Sequence, residues 1–97
     1  MKQQNKKITL QTNVEDASKR IDNLIMQFNE WKKGRENPTS ISLCFYTSDE
    51  HPLTMGEIEH FLNSTADLLD GSDVEWSHIT DELLNEEIRI EITTSKK

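Results

Sequence analysis

Apolar residues recur along this chain with two different periods. In Lys7-Ile8-Thr9-Leu10-Gln11 they alternate with polar ones, which places Ile8 and Leu10 on one side of a short strand. Thr12 or Asn13 is then positioned to cap a helix, with Glu15 three residues beyond Thr12 to complete a capping box. From Val14 onward the spacing changes to three and four, through Ala17, Ile21, Leu24, Ile25, Phe28 and Trp31, so the first helix carries one apolar stripe. Lys32 and Lys33 suit its negative end, and Gly34 followed by Pro38 stops it near Lys33.

The alternation returns in Ile41-Ser42-Leu43-Cys44-Phe45-Tyr46-Thr47, the second strand. Ser48 to Pro52 reads as a turn, Thr54 and Glu57 repeat the capping-box spacing, and Ile58, Phe61, Leu62, Thr65, Leu68 and Leu69 form a second helical stripe that Gly71 is placed to end. Val74, Trp76 and His78 alternate with Glu75, Ser77 and Ile79 as a third strand. After a turn over Asp81 to Glu86, Ile88, Ile90 and Ile92 mark a fourth. The order predicts a single α+β domain, a βαβαββ two-layer sandwich whose four-stranded sheet carries two helices on one face. The other face carries Thr9, Gln11, Ser42, Cys44, Tyr46, Glu75, Ser77, Arg89 and Glu91 and is expected to be wet or partner-bound. Arg89 is expected to make exposed cross-strand ion pairs with Glu75, Glu87 and Glu91, each worth under about 1 kcal/mol.

Length and charge narrow what such a domain does. At 97 residues one domain fills the chain, with 1–6 and 95–97 read as flexible tails. The net charge of -7 repels phosphate backbones, which argues against nucleic acid and anionic membranes as partners. The lysines near the ends, Lys2, Lys6, Lys7, Lys96 and Lys97, read as solvated extensions. Cys44 is the single cysteine, so no internal disulfide forms. The polar start offers no secretion signal and no run is apolar enough to cross a bilayer, so a cytoplasmic location is expected.

Residue types that carry chemistry are present, but their spacing does not assemble a site. His51, His60 and His78 form no short ligand pair. Asp49 and His51 come nearest to one, and no metal or cofactor is expected. Ser77, His78 and Asp81 are the residue types of a hydrolytic triad, yet adjacent strand residues point to opposite faces, so Ser77 and His78 cannot meet. Cys44 has no neighbouring base to activate it and reads as a packing or surface thiol. Of the two tryptophans, Trp76 shares a strand face with Val74 and is expected in the core. Trp31 ends the helical stripe and is expected to overhang the sheet edge as an exposed anchor.

The stretch Leu53-Thr54-Met55-Gly56-Glu57-Ile58, the spacing to Asp73, and Val74 to Thr94 resemble the second half of the C-terminal domain of the FtsZ family. Ile79-Thr80-Asp81-Glu82-Leu83 and Asn85-Glu86-Glu87-Ile88-Arg89-Ile90 carry the resemblance best. Ile8 to Phe28 is similar to the family's first strand and helix. The chain departs from the family's glycine-rich positions at Asp49-Glu50-His51, Ser77-His78 and Leu84-Asn85, and its glycines, Gly34, Gly56 and Gly71, are too scattered to cradle a phosphate. The resemblance therefore implies the fold without the GTPase chemistry.

It also implies a surface. In the family the longitudinal contact lies around the second helix and the third strand, which correspond here to 54–69 and 74–80, and the third strand is a sheet edge. The expectation is a non-enzymatic protein-interaction domain, related to cell division or filaments, whose partner is FtsZ or a tubulin-like filament subunit. Trp31, Glu57, Glu75, Ser77, His78 and Asp81 are its candidate contact residues. The alternatives are a self-associating structural domain, forming a homodimer through the open face or the third strand, and a small-ligand-binding domain using the open sheet face.

Overall fold

The computed structural model describes residues 4–12, 19–35 and 37–96. Four strands, β1 (Gln4–Gln11), β2 (Ser40–Thr47), β3 (Asp73–Thr80) and β4 (Arg89–Lys96), and two helices, α1 (Arg20–Lys32) and α2 (Met55–Thr65), follow one another as β1-α1-β2-α2-β3-β4. The sheet order is β1-β4-β2-β3. β4 is antiparallel to both its neighbours, while β2 and β3 run parallel, with Leu43 beside Trp76 and Phe45 beside His78. The architecture is the expected α+β sandwich.

The alternating positions explain the layers. Ile41, Leu43 and Phe45 of β2 and Ile90 and Ile92 of β4 are buried and pack with Ile21, Leu24 and Phe28 of α1 and Phe61 of α2. Ile8 and Leu10 of β1 pack at the margin of this cluster. Four ring contacts run through it from end to end: Trp31 to Phe28 at 5.5 Å, Phe28 to Phe61 at 5.4 Å, Phe61 to Phe45 at 5.4 Å and Phe45 to Trp76 at 6.5 Å. Tilted and edge-on pairs of this kind add modestly to the burial of the rings themselves.

Element boundaries differ from the sequence pattern where local hydrogen bonds compete. β1 and β4 are longer than their alternation suggests, because the two strands pair along eight residues each, from Gln4 opposite Lys96 to Gln11 opposite Arg89. The expected cap at Thr12 is not seen among the described residues. The Thr12 hydroxyl instead accepts the Ile88 N–H at 2.9 Å, and Thr12 N–H donates to the Ile88 carbonyl at 2.9 Å, which extends the β1–β4 pairing by one rung. Asn13, Glu15 and the first expected helical turn lie outside the described residues.

The end of α1 is as predicted, with Gly34 at φ +76° supplying the left-handed turn. Lys32 is buried here. Its Nζ donates to the Arg35 carbonyl at 3.1 Å and to Asn37 Oδ1, so it holds the loop as well as suiting the helix end. α2 stops at Thr65, short of the predicted length. The Thr65 hydroxyl donates back to the Phe61 carbonyl at 2.8 Å, and the chain tightens into a 3-10 turn over Ala66–Leu69 before Gly71.

Candidate interaction surface

Among the described residues three constructions border the core, and the third leaves capacity for a partner. The first is at the start of α2. Thr54 Oγ1 accepts the Glu57 N–H at 3.1 Å while Glu57 Oε1 accepts the Thr54 N–H at 3.1 Å, the predicted capping box. Arg20, the first residue of α1 and only 4% exposed, reaches this box. Its Nε and Nη2 donate to the two Glu57 carboxylate oxygens at 2.8 Å each. Its remaining donors go to the carbonyls of His51 at 2.8 Å, Pro52 at 2.9 Å and Glu86 at 3.1 Å.

One side chain therefore ties together both helix starts, the β2–α2 loop and the β3–β4 loop. Partial burial would raise the Glu57 pKa, but the Arg20 guanidinium and the Thr54 N–H outweigh it and hold the carboxyl below its ordinary value. Beside this hub the Ser48 hydroxyl donates to the Asn85 carbonyl at 2.7 Å, closing the same two loops.

The second construction lies on the open sheet face. The Tyr46 hydroxyl donates to Glu91 Oε1, and Lys7 pairs with Glu91 Oε2 at 3.4 Å. The Glu91 carboxylate raises the Tyr46 pKa well above its ordinary value, and the tyrosine's hydrogen bond lowers that of Glu91. Arg89 lies 4.4 Å over the Tyr46 ring and donates to Asp81 Oδ2 at 2.8 Å. The expected pairing of Arg89 with Glu75, Glu87 and Glu91 is therefore replaced by a stack and a bond to the β3–β4 loop. The stack wins because a guanidinium over an aromatic face keeps its edge free for a second partner.

The third is β3, an outer strand of the sheet. Every residue from Asp73 to Thr80 is exposed, whereas the alternation predicts one buried side. Trp76 is 40% exposed, Val74 38% and Ile79 49%. The expected roles of the two tryptophans are thus reversed: Trp31 is half-buried, packed on Phe28 with Arg35 5.4 Å from its ring, and Trp76 is the exposed one. The cause is strand order. The helices pack on β2, β4 and, through Ile8 and Leu10, the margin of β1, whereas β3 at the opposite edge borders β2 and reaches the core through the Trp76–Phe45 contact.

The backbone of β3 completes this surface. Asp73 N–H donates to the Thr39 carbonyl at 3.0 Å and Asp81 N–H to the Thr47 carbonyl at 2.8 Å, so odd-numbered residues face β2. Val74, Trp76, His78 and Thr80 then direct their N–H and C=O groups outward, a template for another strand.

The candidate contact residues separate accordingly. Glu75 and Ser77 lie exposed on β3. His78 lies there too, with its Nε2 paired to the Thr47 hydroxyl at 2.6 Å, not to Ser77. Asp81 follows β3 but is engaged by Arg89 and by the Leu83 N–H at 3.0 Å. That N–H and the Arg89 contact hold its carboxyl below the ordinary range. Glu57 is engaged by Arg20, and Trp31 sits at the far end of the aromatic chain. Three participants lie outside the expected contact set: Arg20, Val74 and Ile79. For Arg20 the signal was its place beside Ile21 and four residues before Leu24, on the buried side of α1.

Among the described residues no group of three His, Cys, Asp or Glu side chains could hold a metal ion, and no helix is long and apolar enough to cross a membrane. No family model matches the chain, and no curated protein matches it. Solved structures do. A tryptophan-to-tyrosine mutant of FtsZ from M. jannaschii superposes with a TM-score of 0.70 at 14% identity, over 94% of this chain and 27% of that one. An empty FtsZ dimer from M. jannaschii gives a TM-score of 0.64 at 14% identity, over 94% of this chain and 26% of that one. The chain thus spans about a quarter of the length of the proteins it matches. What is shared is the fold, the two-layer arrangement of the FtsZ C-terminal region.

Proposed function

We propose that this chain is a non-enzymatic protein-interaction domain working through the β3 edge and the adjoining α2. The observation that carries the proposal is the edge itself: an eight-residue outer strand whose exposed Val74, Trp76 and Ile79 stand beside outward-facing backbone groups. Strand addition supplies main-chain hydrogen bonds for affinity and side-chain positions for specificity. The fold likeness to FtsZ supports the choice of partner, a filament subunit of that kind, and with it a role in cell division. Sedimentation with polymerising FtsZ from the same cell tests this. The chain is expected to pellet with the polymer and to change its amount, while unchanged polymerisation with no co-pelleting would sink the division reading.

A second reading, self-association, is favoured by a different observation. No lysine or arginine occurs between Arg35 and Arg89, so β2, α2 and β3 carry none, and β3 with the turns around it is acidic, while β1 carries Lys6 and Lys7.

A further inference from the structure

Resting on the self-association reading, we propose that the β3 edge of one copy pairs in parallel with the β1 edge of the next. Such pairing extends the sheet head to tail into an open-ended assembly instead of a closed dimer. Three independent features of the two outer strands agree on it.

Strand direction is the first. β1 is antiparallel to β4, β4 antiparallel to β2, and β2 parallel to β3, so β1 and β3 run the same way. A copy displaced sideways within the sheet plane presents its β1 parallel to β3 with both helical layers on the same side. The second feature is hydrogen-bond parity. Thr12 N–H donates to the Ile88 carbonyl, so even-numbered β1 residues face β4 and Lys7 and Thr9 direct their backbone groups outward. In a parallel ladder each outward-facing residue lies beside one facing away from it. Outward-facing Trp76 therefore fits beside Ile8, and outward-facing Lys7 beside Glu75.

Side-chain chemistry is the third. In this register Ile8 lies next to Trp76 and Lys6 next to Val74 on the helical side, with Lys7 next to Glu75 and Thr9 next to Ser77 on the open side. Ile8 and Leu10 are only half-buried in one copy, and the junction covers Ile8 together with the exposed Trp76 ring. Charge complements along the same line, because β1 carries Lys6 and Lys7 while β3 carries Asp73 and Glu75. The alternative, two β3 edges meeting about a two-fold axis, sets acidic strand against acidic strand and leaves both β1 edges unpaired. A head-to-tail contact that does not close on itself grows without a fixed size.

The test uses the full chain and two charge reversals at exposed positions, Glu75→Lys and Lys7→Glu, with folding verified by circular dichroism. The parent mass in sedimentation equilibrium is expected to rise with concentration without a dimer plateau. Either reversal should weaken association by about tenfold. Glu75→Lys does so although it lowers the overall repulsion between acidic copies. An equimolar mixture of the two variants should restore growth, because each junction then again joins opposite charges.

A second measurement stands apart from these variants. In a Cys44→Ser background, Thr9→Cys with Ser77→Cys should give a ladder of covalent oligomers on mild oxidation, since the two positions lie on opposite edges of one copy. A strictly monomeric mass, a closed dimer, or growth indifferent to both reversals would overturn the proposal. If copies stay apart while chains with an altered β3 lose co-sedimentation with FtsZ polymer, the interaction reading stands and this one falls.

Discussion

Around Arg20 the hydrogen-bonding groups point at one another; along β3 half of the backbone points away from the molecule. Both regions are polar, lie next to acidic loops and border the same aromatic core. The difference lies in where the elements stop. Arg20 sits where two helix starts and two loops converge, so each donor finds an acceptor inside the chain, and among the described residues no buried side-chain nitrogen or oxygen lacks a partner. β3 sits at an edge of the sheet, so its outward backbone groups meet no neighbouring strand, and Val74, Trp76 and Ile79 stay partly exposed although Trp76 touches Phe45. A region of the first kind supports the fold and a region of the second kind is available to others.

Substitutions can break this distinction. The largest effect on stability is expected from Arg20→Met, which keeps the length of the side chain but leaves the half-buried Glu57 carboxylate and the carbonyls of His51, Pro52 and Glu86 without their donor. Losing one member of a buried ion pair costs about 3–5 kcal/mol, and the urea midpoint should fall accordingly. Partner binding through β3 should persist under conditions where the variant remains folded.

Acid should reproduce part of the same loss. The folded-state pKa of Glu57 is depressed, so its contribution to stability is complete above the unfolded glutamate value of about 4.3 and disappears as pH falls through the lower folded value. The urea midpoint of the parent should therefore drop across that acid range, and the drop should be shallower in Arg20→Met. An equal slope in both proteins would separate Glu57 from the acid sensitivity.

Thr54→Ala removes the hydroxyl that caps α2 and should cost about 1 kcal/mol, read as a lower thermal midpoint. Trp76→Ala sharpens the comparison from the other side. Trp76 is 40% exposed, so the stability change should stay near or below about 1 kcal/mol while association through β3 is lost. A large destabilisation together with unimpaired association would return Trp76 to the core and remove it from the surface.

Periodicity made the layers legible, because Ile41, Leu43 and Phe45 or Ile88, Ile90 and Ile92 can bury themselves together only as strands, and the stripe of Ile58, Phe61 and Leu62 only as a helix. The capping box at Thr54 and Glu57 was legible for the same local reason. Alternation does not encode strand order, however. Val74-Glu75-Trp76 reads alike whether the strand lies under a helix or outside it, and the exposure of the tryptophans turned on that difference. Arg20 escaped for a related reason: its partners lie 31 to 66 residues away along the chain, beyond the reach of any local pattern.

The position of β4 has a further consequence for how the molecule forms. It lies between β1 and β2 yet follows both of them, both helices and β3 in chain order. Until it is inserted, β1 has no neighbour and β2 is bonded only through its parallel contact with β3. The pairings of β4 with β1 and β2 therefore join segments far apart in the chain, so forming the sheet closes long loops. A sheet dominated by such distant pairings is expected to fold slowly for its size.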